Sequence, residues 1–203
     1  MASWTDWNLN DIIYGIVLPV IVAFLIIILP TEVRPIIYDF NPTLVSILVD
    51  GFGEGLLVMG LPLFAGLIWN KWAGGATGFL LGSIYALFVN DTFAAYGLFT
   101  PADQIGDIAN LGLVVCAMLT GYIAGSLNRD SYSFRRMLIC ALVAGFIGGT
   151  FLLWTQLISP FGMVTDIPYA AFLTFLPRVI YGVLIPIFVT VFGWFGMTPR
   201  HMG

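Results

Sequence analysis

The stretch VMGLPLFAGLIWNKWAGGATGFLLGSIYALF occupies residues 58–88 and decides the fold. Two apolar runs flank a short polar turn, Asn70-Lys71-Trp72. Such runs joined so tightly read as two membrane-crossing helices folded back on each other, because a span needs about 20 mostly apolar residues. Within the second run Gly74, Gly78 and Gly82 recur every fourth residue. That spacing puts them on one helix face, where backbones approach closely in lipid.

The rest of the chain extends this pattern. Of 203 residues, 60% are hydrophobic and 9% charged, against about 25% charged in soluble domains. A soluble chain this short has no core large enough for so much apolar surface, so the bilayer is the expected solvent. Six spans are expected, near 12–29, 43–69, 73–90, 108–127, 137–158 and 170–195. They make an all-α, six-transmembrane-helix bundle, a single integral membrane domain over residues 1–203 and a multi-pass protein of the cell membrane. The breaks between spans are polar: Pro30 to Pro42, Asp91 to Asp107, NRDSYSFRR at 128–136 and Ser159 to Pro168. The first run lacks the basic leader and small-residue cleavage site of a signal peptide and is expected to remain as a span.

Loop charge sets the expected orientation. Lys71, Arg129, Arg135, Arg136 and Arg200 gather on one side, with Arg34 alone in the loops of the other. Both termini are therefore expected in the cytoplasm. Trp4, Trp7, Trp72 and Trp194 fall near span ends, where an aromatic belt sits. Gly121 and Gly125, and Gly145 and Gly149, repeat the four-residue spacing. Internal bundle packing is the preferred reading of these ridges, with a docking face for another helix as the alternative. Cys116 and Cys140 lie in apolar runs and read as small core residues.

Charges inside the spans carry the functional signal. Asp50 and Glu54 stand at i and i+4 in LVDGFGEGLLVMG (48–60) and share a helix face. Arg178 stands about eight residues into the last span. The orientation places all three in the outer half of the bilayer. A charge at mid-membrane costs about 2.5–3.5 kcal/mol on insertion scales, so these groups need partners. Arg178 can bridge to the acids, the acids can stay partly protonated, or all three can line a wet cavity that binds a polar ligand. Asn90, Trp154 and Tyr181 are expected at similar depth. With Asp50, Glu54 and Arg178 they form the expected substrate site, the charges recognising a ligand's charged groups and the rings enclosing its apolar part. Asn90 also reads as a plain helix-end residue.

Catalysis is not expected. His201 is the sole histidine, so neither a His/Cys metal site nor a Ser-His or Cys-His nucleophile can form in the membrane. No phosphate-binding Walker loop is present, and no motif calls for a cofactor. The net charge of -4 offers no basic surface for nucleic acid.

The 58–88 stretch resembles part of the substrate-binding S-components of energy-coupling factor transporters. LTGYIAGSLNRDSYSFRR (119–136) is similar to their fourth span and its basic turn. DIPYAAFLTFLPRVIYGVLIPIFVTVFG (166–193) is similar to their last span. The resemblance covers about three-quarters of the chain. It implies six helices with both termini inside, and a small-molecule site, often for a vitamin-like micronutrient, near the outer face. It also implies partners: a membrane coupling subunit and a pair of cytoplasmic ATPases. Two other readings stand beside this transport subunit. One is a non-catalytic structural or accessory subunit of a larger membrane complex. The other is a proton or cation path through Asp50 and Glu54.

Overall fold

The computed structural model describes residues 55–95, 107–160 and 166–195, with isolated positions before residue 55, and for 88–95 the backbone alone. Apart from those isolated positions, the expected first span lies outside the described residues, as do residues 43–54 of the second, with Asp50 and Glu54.

The described chain is all helix, with no strand. Helix α1 covers Leu56–Ile68. Its first turn, Leu56–Gly60, is π-helical, and the rest, Leu61–Ile68, is α-helical. Then come α2 (Lys71–Ala95), α3 (Ile108–Asn128), α4 (Phe134–Ile158) and α5 (Ile167–Trp194). Three of these, α3, α4 and α5, are long and apolar enough to cross a membrane. At about 1.5 Å per residue the 25-residue α4 measures roughly 37 Å, and the 28-residue α5 roughly 42 Å. Both exceed a hydrocarbon core of about 30 Å.

Helix ends run past the expected spans. Helix α2 continues through Asn90 and Asp91 to Ala95, and α4 and α5 each begin three residues early, at Phe134 and Ile167. The cause is simple. Hydropathy marks where lipid tails reach, whereas a helix satisfies its own backbone and carries on into the polar zone.

The turns are capped by polar side chains. Asn70 Oδ1 accepts from the Trp72 and Ala73 backbone N–H groups, both at 2.9 Å, and so starts α2. At the end of α3, Arg129 (φ 47°) and Asp130 (φ 58°) take the left-handed conformation. The Arg129 N–H closes the last turn on the Gly125 carbonyl. The fully buried Asn128 donates from Nδ2 to the Leu67 carbonyl, 3.1 Å away, tying the end of α3 to the end of α1. Arg136 reaches the Leu127 carbonyl (Nη2, 3.0 Å). At the other end of the bundle Ser159 Oγ donates to the Asp107 carboxylate at 2.8 Å, joining the end of α4 to the start of α3.

Helix α3 is the hub. It packs against α1, α2 and α4, and α4 packs in turn against α5. The glycines make these contacts close. A methyl group on Gly121 would strike the Gly74 carbonyl oxygen, and one on Gly66 or Gly74 would strike the Gly121 carbonyl. Gly78 lies against the Ala117 backbone, and a Cβ on Gly125 would stand 2.6 Å from Lys71 Cα. The ridges on α2 and α3 thus face each other, as the internal-packing reading expects.

Candidate functional site

The site is built around Arg178 on α5. Its neighbour Pro177 has no backbone N–H, so the Leu173 carbonyl one turn earlier has no helical donor. Arg178 itself is 6% exposed. Its guanidinium is pinned at two points: Nη1 donates to the Thr174 carbonyl, and Nη2 to Cys116 Sγ of α3 at 3.2 Å. Space for the side chain comes from α4. A Cβ on Gly149 would stand 2.6 Å from Arg178 Cδ and 3.0 Å from Nε, and one on Gly145 would touch Arg178 Cβ at 3.5 Å. Gly148, next along, lets the Cys116 and Thr120 region of α3 approach from the other side.

Nε is buried and has no hydrogen-bond partner among the described residues. A guanidinium carries five N–H groups. Two are held in this way, and Nε–H is left without an acceptor among the described residues; where an oxyanion binds a guanidinium side-on, it takes Nε–H and one Nη–H together. A buried donor left unpaired costs about 1–3 kcal/mol, more when charged. Beside Arg178 a cavity of about 610 Å³ opens between α4 and α5. Leu142, Val143, Phe146 and Ile147 line it from α4, and Phe175 and Val179 from α5. Phe146 and Phe175 stack at 5.1 Å between ring centroids and form one wall.

Depth follows from helix length. Arg178 lies eleven residues from the start of α5 and sixteen from its end. If α5 is centred on the bilayer, the Arg178 Cα is within about 4 Å of the mid-plane. This is deeper than the sequence places it, because α5 begins at Ile167.

The other expected site residues are distributed differently. Tyr181 is 3% exposed and turns toward α1, where a Cβ on Gly55 would lie 2.5 Å from its ring. Gly55 directly follows Glu54 in the chain. Arg178 and Tyr181 thus share a helix but face different neighbours. Trp154 is 54% exposed, with its ring beside Phe151, and does not line the Arg178 cavity. Asn90 belongs to α2 by its backbone. Cys116 is the member that sequence reasoning did not assign to the site, having read it as core; a cysteine in an apolar run carries no sign of which polar group it will meet. Among the described residues, no group of three or more His, Cys, Asp and Glu side chains gathers as a metal site requires.

No protein-family model, curated protein or solved structure matches the chain. Its class therefore rests on its own features: a helical membrane protein with a buried, partly unpaired arginine beside an apolar cavity.

Proposed function

We propose that the chain is a substrate-binding subunit of a membrane transport system, of the kind its resemblance to energy-coupling factor S-components implies. It is a six-span protein of the cell membrane with both termini in the cytoplasm. It binds a small molecule, with a membrane coupling subunit and cytoplasmic ATPases as partners. Arg178 receives an anionic group of the substrate, and Asp50, Glu54, Asn90 and Tyr181 are the remaining candidates for its other contacts, Trp154 standing on an exposed face outside the cavity. The reading requires neither a cofactor nor a catalytic step.

One observation carries it. The Arg178 guanidinium is buried and fixed by two hydrogen bonds, yet its Nε edge has no partner among the described residues. A group that only tied helices together would direct its donors at protein acceptors. A pre-positioned cation with a vacant donor edge suits recognition of a charge that arrives from outside. The accessory-subunit reading loses support, because the glycine ridges it needs as docking faces lie against the chain's own helices.

Native mass spectrometry of the gently extracted protein tests the proposal. The expected result is a small anionic adduct that Arg178→Gln removes, with affinity falling by about 10-fold or more. A wild-type protein that carries no adduct, paired with an Arg178→Gln variant that harms only assembly with co-purifying chains, would overturn it.

A further inference from the structure

We infer that the occupant of the Arg178 site is an amphiphilic anion, a single acidic head on an apolar body, which enters sideways from the lipid between α4 and α5. The inference rests on the binding role proposed above and names the chemical class of the ligand. Three observations carry it. The cavity volume, about 610 Å³, falls in the roughly 300–1,000 Å³ range of single-ligand sites. Its walls are entirely hydrocarbon and aromatic except for Arg178. Its flank is open to the surface that lipid would cover, since Val143, Phe146, Ile147 and Val179 are all exposed there.

Neither simpler occupant satisfies both parts. A hydrophilic anion would pair with Nε but would meet no polar group on the apolar walls to orient it. A plain hydrocarbon chain would fill the walls but leave a buried charged donor unpaired. An acid with an apolar body does both: its chain lies along the Phe146–Phe175 wall, and its oxyanion pairs with the guanidinium, whose buried Nε edge turns out from against Gly149 to meet it. Gly149 keeps this arrangement open, because any side chain there would press on Arg178 Cδ and the Phe175 ring. The acidic head can belong to a free carboxylic acid or to a phospholipid with an exposed phosphate, and the chemistry at Arg178 is shared.

The test uses the full chain in lipid nanodiscs and decanoic acid carrying a terminal diazirine as the probe. Photolabelling is expected on α4 around 143–147 and on α5 around 175–179. Decanoate should compete, while decanol and acetate should not. Arg178→Gln should weaken labelling by about 10-fold or more, with Arg178→Lys retaining part of it. Dioctanoyl phosphatidic acid as competitor separates the sources: equal competition assigns the head to a phospholipid, and none assigns it to a free acid. Val179→Trp fills the groove from its exposed rim, leaves the bundle core untouched, and should block labelling even if Arg178→Gln fails to fold. Competition by decanol equal to that of decanoate overturns the inference. So does an Arg178-dependent adduct in mass spectrometry that Val179→Trp leaves intact and acetate displaces. That last result keeps the binding proposal, whereas loss of every Arg178-dependent adduct removes both.

Discussion

Gly121 and Gly149 occupy similar positions in sequence terms, yet the structure makes opposite demands on them. A methyl group at Gly121 meets the Gly74 backbone, which cannot move without parting α2 from α3. Gly121→Ala should therefore lower stability by about 1–3 kcal/mol, the usual range for overpacking, read as a drop in thermal midpoint in detergent. A methyl group at Gly149 meets side chains instead, Arg178 Cδ at 2.6 Å and Phe175 Cε1 at 2.9 Å, and enters only by shifting a guanidinium held by two hydrogen bonds. Gly149→Ala should lower the midpoint by less than Gly121→Ala does, because side chains yield where backbone does not, and should weaken anion binding as well. A variant that loses stability and keeps binding would show that Arg178 is not held in place through this glycine. Asn128 offers a second contrast. It is fully buried, donates to the Leu67 carbonyl, and its Oδ1 has no partner among the described residues. Asn128→Ala should cost about 1–3 kcal/mol for the orphaned carbonyl. Asn128→Asp should cost more, because a buried carboxylate would face that carbonyl with no donor; equal midpoints for the two variants would contradict the assignment. These residues differ in how legible they are. A charge in an apolar run stands out, so the sequence singles out Arg178. The partners that Arg178 chooses are not singled out, because a glycine, a cysteine and a backbone carbonyl give no signal of their own. The 60° offset between Arg178 and Tyr181 around α5, about 100° per residue over three residues, is enough to send them to different helices.

Helix starts and ends depend on polar side chains that a hydropathy profile treats only as interruptions. Asn70 is the clearest case, accepting two backbone N–H bonds at the head of α2. Asn70→Ala should cost about 1 kcal/mol, within the 0.5–2 range for lost caps. Amide exchange should rise first at Trp72 and Ala73, while Asn70→Asp retains the cap; unchanged protection of those two amides in the alanine variant would remove Asn70 from this role. That the chain would be helical was legible from the length of its apolar runs, and so were α3, α4 and α5 as candidate spans. The facing of each helix was harder to read. In water an amphipathic stripe tells the buried face from the exposed one. In lipid both faces are apolar, so Trp154, expected in the site, stands on an exposed face instead. The spaced glycines keep a facial signal because close approach depends on side-chain size and not on polarity. They marked faces of close packing, and the structure sets the α2 ridge against the α3 ridge, a pairing that the spacing itself does not name.

For the molecule as a whole, the arginine and lysine bias makes a prediction that the helix lengths sharpen. Helix α4 is longer than a bilayer core, so the residues just before Phe134 and just after Ile158 belong on opposite sides if it spans. Asp130 is exposed in the turn before α4, and Pro160 is exposed beyond its end. The native Cys116 and Cys140 are both buried, which keeps their background labelling low. Asp130→Cys should react with a membrane-impermeant maleimide only from the cytoplasmic side, and Pro160→Cys only from outside. Labelling of both from one side would mean that α4 does not cross. Exchange of the two sides would invert the molecule, place Lys71, Arg129, Arg135 and Arg136 outside, and break the charge rule on which the orientation depends. Arg178 would change little in depth under inversion, since it sits near the middle of α5. What inversion would change is the end of the bundle from which a water-borne substrate gains access. A ligand that reaches Arg178 through the α4–α5 flank is indifferent to that exchange, so orientation and route of entry can be determined independently.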